Sequence, residues 1–262
     1  MKESINFDRA AGFYDATRVL PGAAAGAITA ELLRQIELAG ADRLLEIGIG
    51  TGRMARPLMD AGVRVVGVDI SREMMGRLLA QLPSAQAAPQ LLLGDATALP
   101  LADASFKAAL MVHVFHLVAS AAVVAAEVRR VLEPGGVLLH QERDADEETA
   151  ALWKDSDDKW RQLLDDRGFQ RRVRPQRSDI KKVLQDSGAT LESIPVAETP
   201  ETSTVEEELE RIRIRSQSWT WEVPEDKLRD ALPEYEAWLR DQVKGGRWTD
   251  HTTQVIEVIR WD

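Results

Sequence analysis

The chain has 262 residues, 44% of them apolar, which is ample for a buried core in one large domain or two small ones. A formal net charge of −10 argues against nucleic acid as the main partner, and zero cysteines exclude disulfides, thiolate nucleophiles, cysteine-ligated zinc and iron–sulfur clusters. Residues 1–8 are charged and lack the apolar core of a secretory signal, so a cytoplasmic location is expected.

Helical patterns near residues 22, 53, 72 and 121 alternate with apolar runs near 44, 65, 90, 108 and 136. That rhythm predicts an α/β fold, a Rossmann-like, doubly wound, mostly parallel sheet. Residues 44–55, Leu-Leu-Glu-Ile-Gly-Ile-Gly-Thr-Gly-Arg-Met-Ala, pass from an apolar run into three alternating glycines and then turn amphipathic. They predict a strand, a tight loop and a helix start, with glycines where a backbone must approach a ligand closely. Val65–Ile70 is a second strand carrying an acid, Asp69, and the interval from Glu46 to Asp69 fits one βαβ unit. The uncharged stretch from Ala108 to Ala126 is long enough to raise a membrane span, but His113, His116 and Ser120 count against it. It divides instead into a strand, Ala108–Val114, and an alanine-rich helix capped by Ser120.

Composition changes after about residue 143: all seven tryptophans lie beyond it and all six methionines before it. Residues 145–170 predict a charged helix with Trp153 and Trp160 on one face, and Ser178–Gly188 a helix stopped by its glycine. Leu191–Ala197 and Gln254–Trp261 predict a sixth and a seventh strand. Between them Thr204–Gly245 supplies two helical segments broken by Pro224. The basic run Arg171–Arg177 reads as a solvated linker, because it has no interleaved aromatics. Trp219 and Trp221 flank a threonine and, in a strand, would face the same way, either lining a pocket or stapling the cap.

Ligands of such sheets bind outside the carboxyl ends of the strands, where Gly48, Asp69, Asp95 and His113 would converge. A dinucleotide fingerprint would place its third glycine where Arg53 stands. The spacing Glu46-x-Gly48-x-Gly50-x-Gly52 instead resembles motif I of the class I S-adenosylmethionine-dependent methyltransferases, in their small-molecule, methyltransferase type 11-like branch. Asp69-Ile70-Ser71-Arg72-Glu73-Met74, Leu93-Gly94-Asp95-Ala96 and residues 131–138 resemble later motifs of that family, and Phe7-Asp8-x-x-Ala11-x-x-Tyr14-Asp15-x-x-Arg18 resembles its N-terminal lid helix. Phe106-Lys107 departs from the usual Phe-Asp. The resemblance implies a seven-stranded sheet in the order 3-2-1-4-5-7-6 with its last-built strand antiparallel and helical cap insertions over the crevice. It also implies a single domain over 1–262, with lid helices in 1–30, a cofactor-binding core in 31–143, cap segments in 145–175 and 200–248, and the rest of the sheet in 178–198 and 250–261.

Its implied cofactor is S-adenosyl-L-methionine, and its implied chemistry is in-line transfer of a methyl group to an O, N or C nucleophile of a small-molecule acceptor. Asp69 would accept both ribose hydroxyls, or else cap the next helix, for which Ser71 is better placed. Asp95 and the backbone of Ala96 would meet adenine, unless Asp95 is a plain turn residue. Ile70 or Met74 would pack on the adenine face or simply fill the core. Gly48, Gly50 and Gly52 would face the methionine moiety. Glu46 would organise the glycine loop or pair with an arginine. Tyr14 and Arg18, one helical turn apart, would close over the sulfonium or merely pack a surface helix. Among the catalytic candidates, Tyr14, His113 and His116, either histidine could take an acceptor proton, although each could equally be only hydrogen-bonded. No metal, nucleic-acid or membrane partner is expected, and a monomer and a homodimer stay open. A cofactor-binding protein without turnover is the alternative, and a nicotinamide oxidoreductase a weaker one.

Overall fold

The computed structural model describes residues 4–83, 88–172 and 174–261. Residues 1–3 of the expected lid, Val173 of the basic run and residue 262 lie outside the described residues. In chain order the elements are α1 (Gly22–Leu38), β1 (Arg43–Ile47), α2 (Ala55–Asp60), β2 (Arg64–Asp69), α3 (Arg72–Ala80), β3 (Gln90–Leu93), β4 (Phe106–Val112), α4 (Ala121–Val131) and β5 (Leu132–Ala145). There follow α5 (Glu147–Asp165), α6 (Arg177–Asp186), β6 (Ala189–Glu198), β7 (Glu201–Thr204), α7 (Val205–Arg213), α8 (Glu225–Gln242), β8 (Arg247–Asp250) and β9 (Thr252–Trp261). The chain divides into two compact units, one of residues 1–142, 174–197 and 254–262, the other of residues 143–173 and 198–253. Among the described residues no helix is long and apolar enough to cross a membrane.

The first unit is built on a seven-stranded sheet in the order β3-β2-β1-β4-β5-β9-β6. Because β9 is the seventh strand of that sheet to be built, this is the expected order. The pairs of β1 with β2 and β4, of β2 with β3, and of β4 with β5 are parallel. Such strands are covered on both faces and read as apolar runs rather than alternations. Leu45, Ile47, Ala109, Met111 and Leu138 share one core cluster with Val124 and Val128 of α4 and Ile180 and Leu184 of α6. Leu44, Ala108, Leu110 and Leu139 belong to another with Ile28, Leu32 and Ile36 of α1. Each such buried aliphatic side chain contributes about 1.5–3 kcal/mol.

Register then positions the site. Ile47 pairs with Val68 and with Met111, Val68 with Leu92, and Met111 with His140, so four strand ends come level. Gly48, Asp69, Leu93 and Val112 each lie one residue beyond. β4 stops two residues short of the predicted Val114, because His113 turns out of the strand at φ +54°. The predicted lid helix is absent from the described residues. Asp8–Ala10 and Asp15–Thr17 form two short 3-10 turns. The acids that would face water on a continuous helix are spent elsewhere: Ser71 Oγ donates to Asp8 (2.5 Å) and Thr51 Oγ1 to Asp15 (2.5 Å).

The second unit holds α5, α7 and α8 and an antiparallel pair of β7 and β8, with Thr202 opposite Thr249. Asp146 caps α5 by accepting the Thr149 N–H (2.8 Å), and Pro224 stands between the two expected helical segments, as the residue before α8. Trp160, Leu163, Leu164, Leu209, Ile212 and Tyr235 belong to its own core. Two readings are corrected here. Trp219 and Trp221 lie in a 3-10 turn, Ser218–Glu222, not in a strand. The basic run is not a solvated linker either. Arg171 is 10% exposed, pairs with Asp157 at 2.8 Å and stacks over Trp219, and in the first unit Arg177 binds Glu257, because guanidinium groups can bury a planar face while donating at its edge.

Candidate active site

The loop between β1 and α2 is forced by its glycines. Gly48 has φ +78° and Gly52 +73°, and a Cβ on either would lie 2.3 Å from Val114 or Leu78, respectively. No other residue type satisfies both the left-handed backbone and the lack of space. The Gly48 N–H donates to Val68 O (2.7 Å), folding the loop back on β2. The Gly50 N–H donates to Asp69 Oδ2 (2.7 Å), while Asp69 Oδ1 accepts from the Ser71 N–H (2.7 Å). Burial pushes the Asp69 carboxyl up against those two backbone donors. Each of its oxygens keeps a further acceptor site. Ser71, not Asp69, caps α3 through the Met74 N–H (3.1 Å), which separates the two readings of this pair.

Gly48, Gly50, Asp69, Ile70, Met74, Asp95, Ala96, His113 and Tyr14 all line one crevice. Asp95 Oδ1 takes the Thr97 N–H and hydroxyl, both at 2.8 Å. Burial pushes its carboxyl up, but hydrogen bonds from Thr97 and Ser4 outweigh that and hold it low. Phe7 and Tyr14 meet edge to face at 5.9 Å at the rim. His113 forms part of the wall in its strained backbone conformation, a feature that persists only where surroundings hold it.

Four predicted residues stand elsewhere. Gly52 does not line the crevice and packs closely against Leu78 of α3. Arg18 lines a neighbouring hollow with Arg53, whose Nη1 donates to Arg18 O at 3.3 Å, and its guanidinium lies 5.9 Å from the Tyr14 ring. Glu46 is 2% exposed, and its Oε2 is buried with no hydrogen-bond partner among the described residues. Burial raises its carboxyl to about 8, with Arg53 opposing and Asp69 adding, and no direct ion pair with an arginine forms among the described residues. His116 does not line the crevice. Burial holds its imidazole down to about 4, against Glu142, so it is neutral near pH 7.

Sequence reasoning missed three features. Ser4, Ile5, Leu117 and Val118 line the crevice because the segment before Phe7 pairs with the loop after β4, Ile5 N–H to Leu117 O (3.0 Å) and Ala119 N–H to Ser4 Oγ (3.2 Å). No composition or spacing marks that pairing. A buried charge network was also missed: Glu257 on β9 accepts from Arg177 (2.6 Å) and Lys181 (3.0 Å) and lies 3.4 Å from His140, whose other nitrogen is 2.9 Å from Glu142. One signal was available, a glutamate within the apolar run Val255–Ile259. These partners overcome burial and draw both glutamates down to about 2. The third is Thr51, whose hydroxyl ties Asp15 to the glycine loop.

Residues 45–140 match a family model described as a methyltransferase domain. An uncharacterized methyltransferase of Mycobacterium tuberculosis is 37% identical over 135 residues, covering 52% of this chain and 51% of that protein. A ubiquinone/menaquinone biosynthesis C-methyltransferase of Syntrophotalea carbinolica is 38% identical over 109 residues, covering 41% of this chain and 46% of that one. The chain thus spans about half the length of the curated relatives it matches. A solved putative methyltransferase of Bacillus halodurans is alike in fold, with a TM-score of 0.58 at 20% identity over 89% of this chain and 99% of that one. The glycine loop and the strand ends that surround it lie within residues 45–140, the stretch over which the chain is similar to the methyltransferase domain.

Proposed function

We propose that the protein transfers the methyl group of S-adenosylmethionine to an O, N or C nucleophile of a small-molecule acceptor. The observation that carries this reading is the buried, unpartnered Glu46 oxygen beneath a glycine loop that opens on the same crevice as Asp69 and Asp95. A buried carboxylate without a donor is costly, and the cofactor's methionine ammonium would supply one. Asp69 would take the ribose hydroxyls on its remaining acceptor sites, Asp95 and the Ala96 backbone the adenine, and Ile70 and Met74 its face. Tyr14 and His113 would bound the reacting end, with Arg18 acting through the Tyr14 ring.

The sulfonium is already activated, so positioning and exclusion of water supply most of the rate enhancement. His113, at the crevice wall, is better placed than His116 to meet an acceptor proton, and the low basicity of His116 suits it to a neutral hydrogen-bonding role. The two units act as one methyltransferase chain, in the cytoplasm, as a monomer or homodimer.

Calorimetric titration with S-adenosylhomocysteine, beside NADH and NADPH, tests the reading. Selective binding of the first is expected, and Asp69→Ala should remove it while the circular dichroism spectrum is kept. Retained affinity in that variant takes Asp69 out of the ribose role, and binding of a nicotinamide alone replaces the reading with an oxidoreductase.

A further inference from the structure

The second unit contains a cavity of about 280 Å³ of its own. Five aromatic side chains line it: Trp153, Trp160, Trp219, Tyr235 and Trp248. The Trp160 ring stacks on Tyr235 with centroids 4.4 Å apart, and Trp160 is only 2% exposed. Its indole N–H lies close to the Tyr235 hydroxyl at a geometry that forms no hydrogen bond, and it has no other partner among the described residues. The Tyr235 hydroxyl is already engaged with Ser156 Oγ at 2.8 Å. A buried indole donor without an acceptor is unfavourable. A ligand atom entering the cavity can satisfy it.

The charges in the wall are unequal. Arg171 is committed to Asp157 at 2.8 Å and to the face of Trp219, and Arg211 lies 3.4 Å from Glu208 and 3.5 Å from Glu201. Arg143 is spread over the Trp153 ring at 4.8 Å. Four carboxylates and three guanidiniums line the cavity, and Arg161 gives Asp157 a second cationic partner, whereas Asp250 accepts from the Trp153 indole (3.1 Å) and has no ion-pair partner among the described residues. Glu208 and Asp250 are the least compensated of the four. Burial raises both carboxyls, and each is raised further by another acid, Glu208 by Asp250 and Asp250 by Glu201. An incoming cation relieves that repulsion, and aromatic faces stabilise it further.

We propose that this cavity is a binding site for a small organic ammonium compound with a flat apolar body and a hydrogen-bond acceptor, the ammonium facing Glu208 and Asp250 and the acceptor meeting the Trp160 indole. The site lies wholly within the inserted unit and does not rest on methyl transfer. Its chemistry fits either a methyl acceptor or a regulatory ligand.

The test uses the full chain and three probes of one shape: tyramine, its neutral counterpart tyrosol, and anionic 4-hydroxyphenylacetate. Calorimetry should show tyramine binding at least 10-fold tighter than either. Glu208→Gln with Asp250→Asn should weaken tyramine at least 10-fold while S-adenosylhomocysteine titrates as in the parent, which separates loss of the site from loss of the fold. Trp160→Phe should weaken tyramine several-fold but leave phenyltrimethylammonium, which has no acceptor, unchanged. Equal binding of tyrosol, survival of tyramine binding in the double variant, or no binding of either cation overturns the proposal. Incubation of the parent with S-adenosylmethionine and tyramine then sorts the source: a methylated product marks an acceptor, and unchanged tyramine marks a second ligand.

Discussion

The two units solve the problem of a buried interior differently. In the first, aliphatic strands at one register set the polar groups of the crevice at or just past their carboxyl ends, and the backbone of the glycine loop spends its donors on Val68 and Asp69. In the second, six of the seven tryptophans are gathered with arginines laid over their faces and carboxylates beside them. A site at sheet ends depends on backbone geometry that few residues can supply. A site among tryptophans depends on side chains, and it tolerates backbone change better. Substitutions in the first unit should therefore destroy binding through the main chain, and those in the second through packing and charge.

The severest test is Gly48→Ala. The added Cβ meets Val114 at 2.3 Å in a left-handed backbone, so the loop must open. The expected cost is on the order of 3–5 kcal/mol of stability, with loss of S-adenosylhomocysteine binding by calorimetry. Tryptophan fluorescence, which reports mainly on the second unit, should keep its native maximum at low temperature; a red-shifted maximum would break the contrast. The matching change in the second unit is Trp160→Ala, which removes the centre of an aromatic stack and should cost about 3–5 kcal/mol. Urea unfolding followed by tryptophan fluorescence measures it. Cofactor affinity of the remaining folded protein is expected to hold.

Glu46→Gln should have the opposite sign. The folded carboxyl titrates at about 8 and the free one near 4.5, so the folded chain keeps a proton that the unfolded chain has released. Stability on this account is full below pH 4.5 and falls as pH rises to about 8. At pH 7 the variant should be more stable by about 3 kcal/mol, from some 2.5 pH units at 1.36 kcal/mol each. If the cofactor's ammonium meets this carboxylate, binding at pH 7 expels its proton. Titrations in buffers of different ionisation enthalpy should then show close to one proton released by the parent and none by the variant. Equal release in both would remove Glu46 from the cofactor.

Sheet order, the crevice and about half of its lining were legible, because each follows from local signals: apolar runs, a glycine spacing and acids at or just past strand ends. What escaped depends on partners remote in sequence. The N-terminal segment carries a spacing suited to a helix, yet Asp8 and Asp15 find hydroxyl donors at Ser71 and Thr51, and those bonds hold it as turns. Glu257 interrupts the apolar run Val255–Ile259, and the partners that explain it, Arg177, Lys181 and His140, arrive from other elements. Arg171 is covered by Asp157 and Trp219, which come from distant parts of the chain, so nothing in its basic run marks it as buried.

Ser71→Ala is the mildest of these changes and the one that divides two roles held by a single hydroxyl. Ser71 is fully buried, caps α3 through the Met74 N–H and donates to Asp8 at 2.5 Å. Loss of the cap alone should cost about 1 kcal/mol. Loss of the tether should free the turn at Asp8–Ala10 and, with it, the Phe7 and Tyr14 rings at the rim of the crevice. Asp8→Asn keeps the Ser71 cap and weakens the tether together with the long bond from the Glu73 N–H (3.3 Å), since a neutral amide is a poorer acceptor than a carboxylate. Weaker S-adenosylhomocysteine binding in both variants, with a lower melting temperature in Ser71→Ala alone, would assign the N-terminal segment to ligand closure. A lower melting temperature with unchanged affinity in Ser71→Ala would reduce Ser71 to a helix cap and leave the first unit's site complete without its N-terminal turns.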